Sequence, residues 1–178
     1  MRRDTMAGRV ALAAVLAALA LAVLYGACLA PSGRMGLTAV AGLFPTAAVI
    51  SGGFKVGLLC YGGAALLALL VLPDKGLALL FALFFGLYPV LKAKIEGLRR
   101  LAVELVLKLL LFNGALTLFG AGLRTIFLSA LPLPEGLPLW VLYLVGNVVF
   151  LIYDLGLTKL IALYIARVDQ PLRRGRGA

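Results

Sequence analysis

From Val10 to Ala30 the chain runs 21 residues without a charged side chain. A stretch of that length matches the hydrocarbon core of a bilayer, which a helix crosses in about 20 apolar residues. Secretory signal peptides carry a shorter apolar core of roughly 7 to 15 residues. The run therefore reads as a first spanning helix, preceded by Arg2, Arg3 and Arg9. A lipoprotein reading of Tyr25-Gly26-Ala27-Cys28 fails as well, because tyrosine stands where such cleavage sites usually carry leucine.

The rest of the chain repeats this pattern with short polar breaks. Of the 178 residues, 63% are hydrophobic and 13% charged, with a mean hydropathy of +1.11. Soluble domains are about half apolar and about a quarter charged. The expected fold class is all-α, an integral membrane bundle of six transmembrane helices forming one domain over 1–178. The expected spans are 10–30, 36–53, 56–72, 76–91, 101–123 and 138–167. Most breaks carry proline or glycine, as at Pro31-Ser32-Gly33-Arg34 and Pro73-Asp74-Lys75. The second span is the weakest, rich in small residues and interrupted by Pro45.

Charge distribution orients the bundle. With an inside N-terminus and six spans, Arg2, Arg3, Arg9, Lys55, Lys92, Lys94, Arg99, Arg100, Arg167, Arg173, Arg174 and Arg176 fall on the cytoplasmic side. Only Arg34, Lys75 and Arg124 fall outside. The positive-inside rule thus predicts cytoplasmic N- and C-termini, in the plasma membrane. Without the weak second crossing, Lys92 to Arg100 would lie outside and break the rule.

The same placement explains the net charge of +10 without nucleic acid, since no folded soluble module is left to carry a basic face. Cys28 and Cys60 have no metal-type spacing, the chain has no histidine, and the expected topology puts the two thiols toward opposite faces. No metal, cofactor or disulfide is expected. No acid, base and nucleophile can be assembled, so the chain reads as a non-enzyme.

Ionisable residues inside spans need partners, because a charge at mid-helix costs about 2.5 to 3.5 kcal/mol on insertion scales. The fifth span carries Glu104, Lys108 and Asn113; the sixth carries Tyr143, Asn147, Asp154, Thr158 and Lys159. Tyr143, Asn147, Asp154 and Thr158 form one helical stripe. In antiparallel neighbours, Glu104 with Lys159, Lys108 with Asp154, and Asn113 with Asn147 fall at nearly one register. The expectation is a two-level ion-pair ladder of Glu104, Lys108, Asp154 and Lys159, with an amide contact further out. It reads either as a structural clamp or as a coupling or substrate element. Asn113, Thr117, Tyr143 and Asn147 are candidate cavity groups in the outer half.

The first helix places Ala14, Ala18, Ala22, Gly26 and Ala30 at steps of four, a small-residue ridge that admits close approach of another helix. A generally alanine-rich helix is the alternative. Tyr88 with Lys92 and Lys94, and Tyr153 with Tyr164, suit inner-interface anchors. Trp140 marks the outer boundary. The apolar connection from Arg124 to Leu137 is expected to lie on the membrane surface or over the bundle as a lid.

In length, six spans, basic start and the Ala14/Ala18/Ala22 ridge, the chain resembles the substrate-binding S components of energy-coupling factor transporters. The stretches Phe85-Gly86-Leu87-Tyr88-Pro89-Val90-Leu91-Lys92 and Asn147-Val148-Val149-Phe150-Leu151-Ile152-Tyr153-Asp154 also look like an uncharacterised clostridial-type family of small membrane proteins. The first resemblance implies capture of a small-molecule substrate from outside and docking of helix one, through Ala14, Ala18, Ala22 and Gly26, on a coupling subunit. No vitamin-contact signature carries over, and the lack of histidine argues against nickel or cobalt. The alternative is a noncatalytic structural or assembly protein.

Overall fold

A computed structural model describes residues 5–98, 100–122 and 139–169, and all regular structure among them is helical. Six segments are long and apolar enough to cross a membrane: Met6–Leu29, Arg34–Gly52, Phe54–Val71, Lys75–Leu98, Leu101–Leu118 and Tyr143–Arg167. The helices are α1 (Met6–Leu29), α2 (Arg34–Ala41), α3 (Leu43–Gly52), α4 (Phe54–Val71), α5 (Lys75–Leu80), α6 (Leu87–Ile95), α7 (Leu101–Gly122) and α8 (Leu139–Tyr164). The connection from Arg124 to Leu137 lies outside the described residues.

The helix ends follow local chemistry. Thr5 caps α1 by accepting from the Gly8 amide at 3.2 Å, and Asp74 caps α5 by accepting from the Leu77 amide at 3.1 Å. Proline pushes the residue before it out of helical geometry. Accordingly Ala30 before Pro31 (φ −69°, ψ 131°) and Leu72 before Pro73 (φ −69°, ψ 135°) are extended and end α1 and α4. Glycine takes the left-handed turn before α2, where Gly33 has φ 73°.

The second span does not break at Pro45. That residue sits in the first turn of α3, where a missing amide proton costs little. The interruption falls at Gly42, between α2 and α3. A matching irregularity occurs in the fourth span, where Phe81–Phe85 form a π turn closed by the Gly86 amide on the Phe81 carbonyl at 2.7 Å. The two irregularities meet. Pro89 deprives the Phe85 carbonyl of its helical donor, and that oxygen lies 2.1 Å from where a Cβ on Gly42 would sit. Only glycine admits this approach. The neighbouring Ala82 carbonyl accepts from the Tyr61 hydroxyl at 2.6 Å, so the backbone disturbed by the π turn finds a donor within the bundle.

The main core is built from small residues. Ala13, Ala17, Ala20 and Leu24 of α1 are buried with Cys60, Ala64, Ala65 and Ala68 of α4, together with Ala48 of α3 and Phe81. Short side chains let the helix backbones approach, which supplies the dispersion contacts that replace a hydrophobic driving force in lipid. A second core is aromatic. Phe84 and Tyr88 pack with Phe150 and Leu157 of α8, and Phe112 of α7 stacks on Phe150 at 4.7 Å between ring centroids.

Cross-links between elements define two faces. The Arg34 guanidinium and the Asp74 carboxylate, 3.6 Å apart, join the starts of α2 and α5 on one. On the other, which carries the start of α1, Ser51 and Tyr164 share a hydrogen bond of 3.0 Å, and the Lys94 ammonium stands 5.0 Å over the Phe54 ring. Cys28 and Cys60 are both free thiols, Cys60 fully buried.

Candidate functional site

The charges gather beside the aromatic core. Lys92, at the end of α6, is 0% exposed, and Lys108 of α7 is also buried. Between them lies Asp154 of α8. Its Oδ1 accepts from the Tyr88 hydroxyl at 2.5 Å and from the Lys92 ammonium, and its Oδ2 accepts from the Lys108 ammonium at 3.0 Å. Glu96, in the 3-10 turn Glu96–Leu98 that follows α6, closes the ring. Its Oε1 takes both ammoniums, Lys92 at 2.7 Å and Lys108 at 2.8 Å.

Two ammoniums and two carboxylates sum to zero, so the group is neutral as a unit even though each member is costly in lipid. Each lysine faces both carboxylates. The members come from α6, the turn after it, α7 and α8, so the ring ties three consecutive spans together. Tyr88 joins the ring to the aromatic core, packing against Phe84 and Phe150, with Phe112 against Phe84. A low-polarity neighbourhood of this kind strengthens the ion pairs and raises the cost of losing one member.

Lys108 and Asp154 therefore meet as the register reasoning expects, but the ladder's second rung is a correction. Glu104 and Lys159 form no ion pair with each other, and Lys159 is exposed. Register compares depth only. Lys159 follows Asp154 by five residues, which turns it about 140° around the helix at 3.6 residues per turn, so it faces away from α7. Glu104 also fails to engage Lys108 one turn on, because Lys108 is committed to Glu96 and Asp154.

Three members of the ring escape the sequence reading. Tyr88 and Lys92 do not anchor an interface; both are buried and both serve Asp154. The fourth span runs past Leu91 to Leu98, which brings Lys92 and Glu96 inside it. The available signal is the row Phe84, Tyr88, Lys92, Glu96 at steps of four, one helix face ending in a Lys–Glu pair at the favourable spacing. Tyr153 is no anchor either: its hydroxyl is buried without a hydrogen-bond partner among the described residues. Tyr153 also lines an apolar cleft of about 150 Å³ between α2–α3 and α8, with Val40, Leu43, Gly156 and Leu160. Tyr164 bonds Ser51, and Lys94 remains exposed at the end of its span.

Toward the opposite face, α7 and α8 share a neutral polar seam. The Asn113 amide donates to the Asn147 carbonyl oxygen at 2.9 Å, and the Asn147 amide returns the bond at 3.0 Å. One step further, the Thr117 and Tyr143 hydroxyls lie 2.7 Å apart. The four groups that the sequence offers as cavity candidates thus pair with one another, Asn113 with Asn147 and Thr117 with Tyr143. Thr158 does not join the ring and donates to the Asp154 backbone carbonyl at 2.9 Å.

The α1 ridge divides from the α1 core face. Ala13, Ala17, Ala20, Leu24 and Ala27 are buried, whereas Ala14, Ala18, Ala22 and Gly26 are all exposed. A Cβ on Gly26 would meet nothing within 4 Å. Among the described residues no group of three or more Cys, Asp or Glu is placed to hold a metal ion. Comparison of the chain with protein-family models, with curated proteins and with solved structures found no match.

Proposed function

We propose that this chain is a noncatalytic membrane subunit of the substrate-capture kind, an S component-like partner in an energy-coupling factor importer of a small molecule. The observation that carries the reading is the exposed ridge Ala14, Ala18, Ala22 and Gly26, which the chain's own packing leaves unused while the adjacent α1 face is fully buried. Small residues at steps of four admit a second helix at short range, and a coupling subunit is the occupant this reading assigns. The exposed cations Arg9, Lys55, Lys94, Arg100 and Arg167 stand on the face that starts α1, against Arg34 and Lys75 on the other. By the positive-inside rule that face is cytoplasmic, with both termini inside and the bundle in the plasma membrane. Substrate then approaches from the face of Arg34 and Asp74, next to the seam of Asn113, Thr117, Tyr143 and Asn147.

A second reading has its own observation. Because the seam groups pair with one another and the four ring charges are mutually satisfied, these residues also suit a purely structural or assembly protein. Pull-down of a coupling subunit, combined with a thermal-shift screen of small-molecule ligands, separates the two. The capture reading expects Ala18→Leu to abolish pull-down while leaving the melting temperature unchanged, and expects at least one stabilising ligand. Absence of both a coupling partner and a ligand would leave the structural reading standing alone.

A further inference from the structure

The charge ring is lopsided, and the asymmetry identifies a replaceable member. Asp154 is held from three sides by Tyr88, Lys92 and Lys108, with its side chain 14% exposed. Glu96 offers only Oε1 to the two ammoniums, its side chain is 37% exposed, and it sits in a single 3-10 turn at the end of its span. The ammoniums it covers are almost wholly withdrawn from solvent, the Lys92 side chain at 0% and that of Lys108 at 10%. If Glu96 swings into solvent, Lys92 and Lys108 face Asp154 alone, and the cluster is left with one uncompensated positive charge in a low-polarity site. That state strongly favours an incoming anion. Lys94 and Arg100 are exposed at the same end of the bundle and add to its positive field.

We propose that Lys92 and Lys108 form an oxyanion seat at this face of the membrane, which Glu96 fills from within the chain and which a phosphate group takes when Glu96 swings out. An oxygen of a singly charged phosphate, a phosphodiester or dihydrogen phosphate, in the place of Glu96 Oε1 receives the same two charge-assisted hydrogen bonds and keeps the cluster neutral. Glu96 sits two residues before the end of the fourth span at Leu98, within reach of a lipid headgroup. The phosphate is therefore supplied either by an anionic phospholipid or by a free phosphate species. This inference does not rest on the capture reading.

The test uses the full chain in nanodiscs of zwitterionic lipid, with Glu96→Gln beside the wild type and inorganic phosphate as probe at matched ionic strength. The seat predicts that phosphate raises the melting temperature of Glu96→Gln with a half-saturation about tenfold lower than in wild type, equivalent to about 1.4 kcal/mol. It predicts that adding Lys108→Met to Glu96→Gln removes the response. In a second arm, nanodiscs containing phosphatidylglycerol stabilise Glu96→Gln without added phosphate if lipid is the source; stabilisation by inorganic phosphate alone assigns a soluble one. No stabilisation in either arm, or equal stabilisation of the Lys108→Met double variant, overturns the proposal. If Glu96→Gln does not fold, wild-type protein labelled at lysine nitrogens decides, in phosphatidylglycerol bilayers and with inorganic phosphate. A phosphorus contact to the resonance of buried Lys92 supports the seat, and its absence under both conditions refutes it.

Discussion

The mutual dependence of the ring charges is best tested with Lys108→Met, Asp154→Leu and the two together. Asp154→Leu removes a carboxylate that accepts three hydrogen bonds and leaves two buried ammoniums against Glu96 alone. Removing one partner of a buried pair costs about 3–5 kcal/mol. Because Glu96 still reaches both lysines and is partly exposed, the lower end, about 3 kcal/mol, is expected for Asp154→Leu. Lys108→Met leaves two carboxylates sharing Lys92 and should cost about the same. The double variant takes out one charge of each sign and leaves the neutral pair Lys92–Glu96 at 2.7 Å. Apolar replacement of a complete buried pair is often close to neutral, so the double should cost less than either single, with a coupling energy above about 2 kcal/mol. Reversible unfolding in mixed micelles, followed by circular dichroism, measures all three. A double variant whose cost equals the sum of the singles within about 0.5 kcal/mol would refute mutual neutralisation.

Other outcomes follow from the same geometry. In the seam, Asn113→Leu and Asn147→Leu should each cost about 0.6 to 1.7 kcal/mol, and the double variant less than their sum, by the same unfolding assay. Gly42→Ala should destabilise by about 1–3 kcal/mol or more, since its methyl meets the Phe85 carbonyl, whereas Gly26→Ala should leave stability unchanged in a thermal melt. Glu104→Gln and Lys159→Gln should each stay within about 0.5 kcal/mol of wild type, because neither takes part in an ion pair among the described residues.

What the sequence makes legible is what period and depth determine. The apolar runs locate all six long helices, since each lies between prolines, glycines and charges that punctuate the backbone. Antiparallel depth matching brings Lys108 to Asp154 and Asn113 to Asn147, because in each case both members also face the shared seam. It fails for Glu104 and Lys159, where depth agrees but azimuth does not. Lys92 and Glu96 were hidden by a different ambiguity: a lysine after an apolar run reads equally as a loop residue or as the last buried turn. Only the packing of α7 and α8 against α6 selects the second. The Gly42 break is illegible for a related reason, because the carbonyl that demands a glycine there belongs to a turn more than forty residues away in the chain.

One carboxylate on α8, that of Asp154, holds two lysines from two other spans. Solid-state dipolar recoupling between lysine Nζ nitrogens and the Asp154 carboxyl carbon, in lipid bilayers, measures it directly. Direct contact of Asp154 with both Lys92 and Lys108 is the expected result. A spectrum in which Asp154 contacts neither lysine would overturn that arrangement.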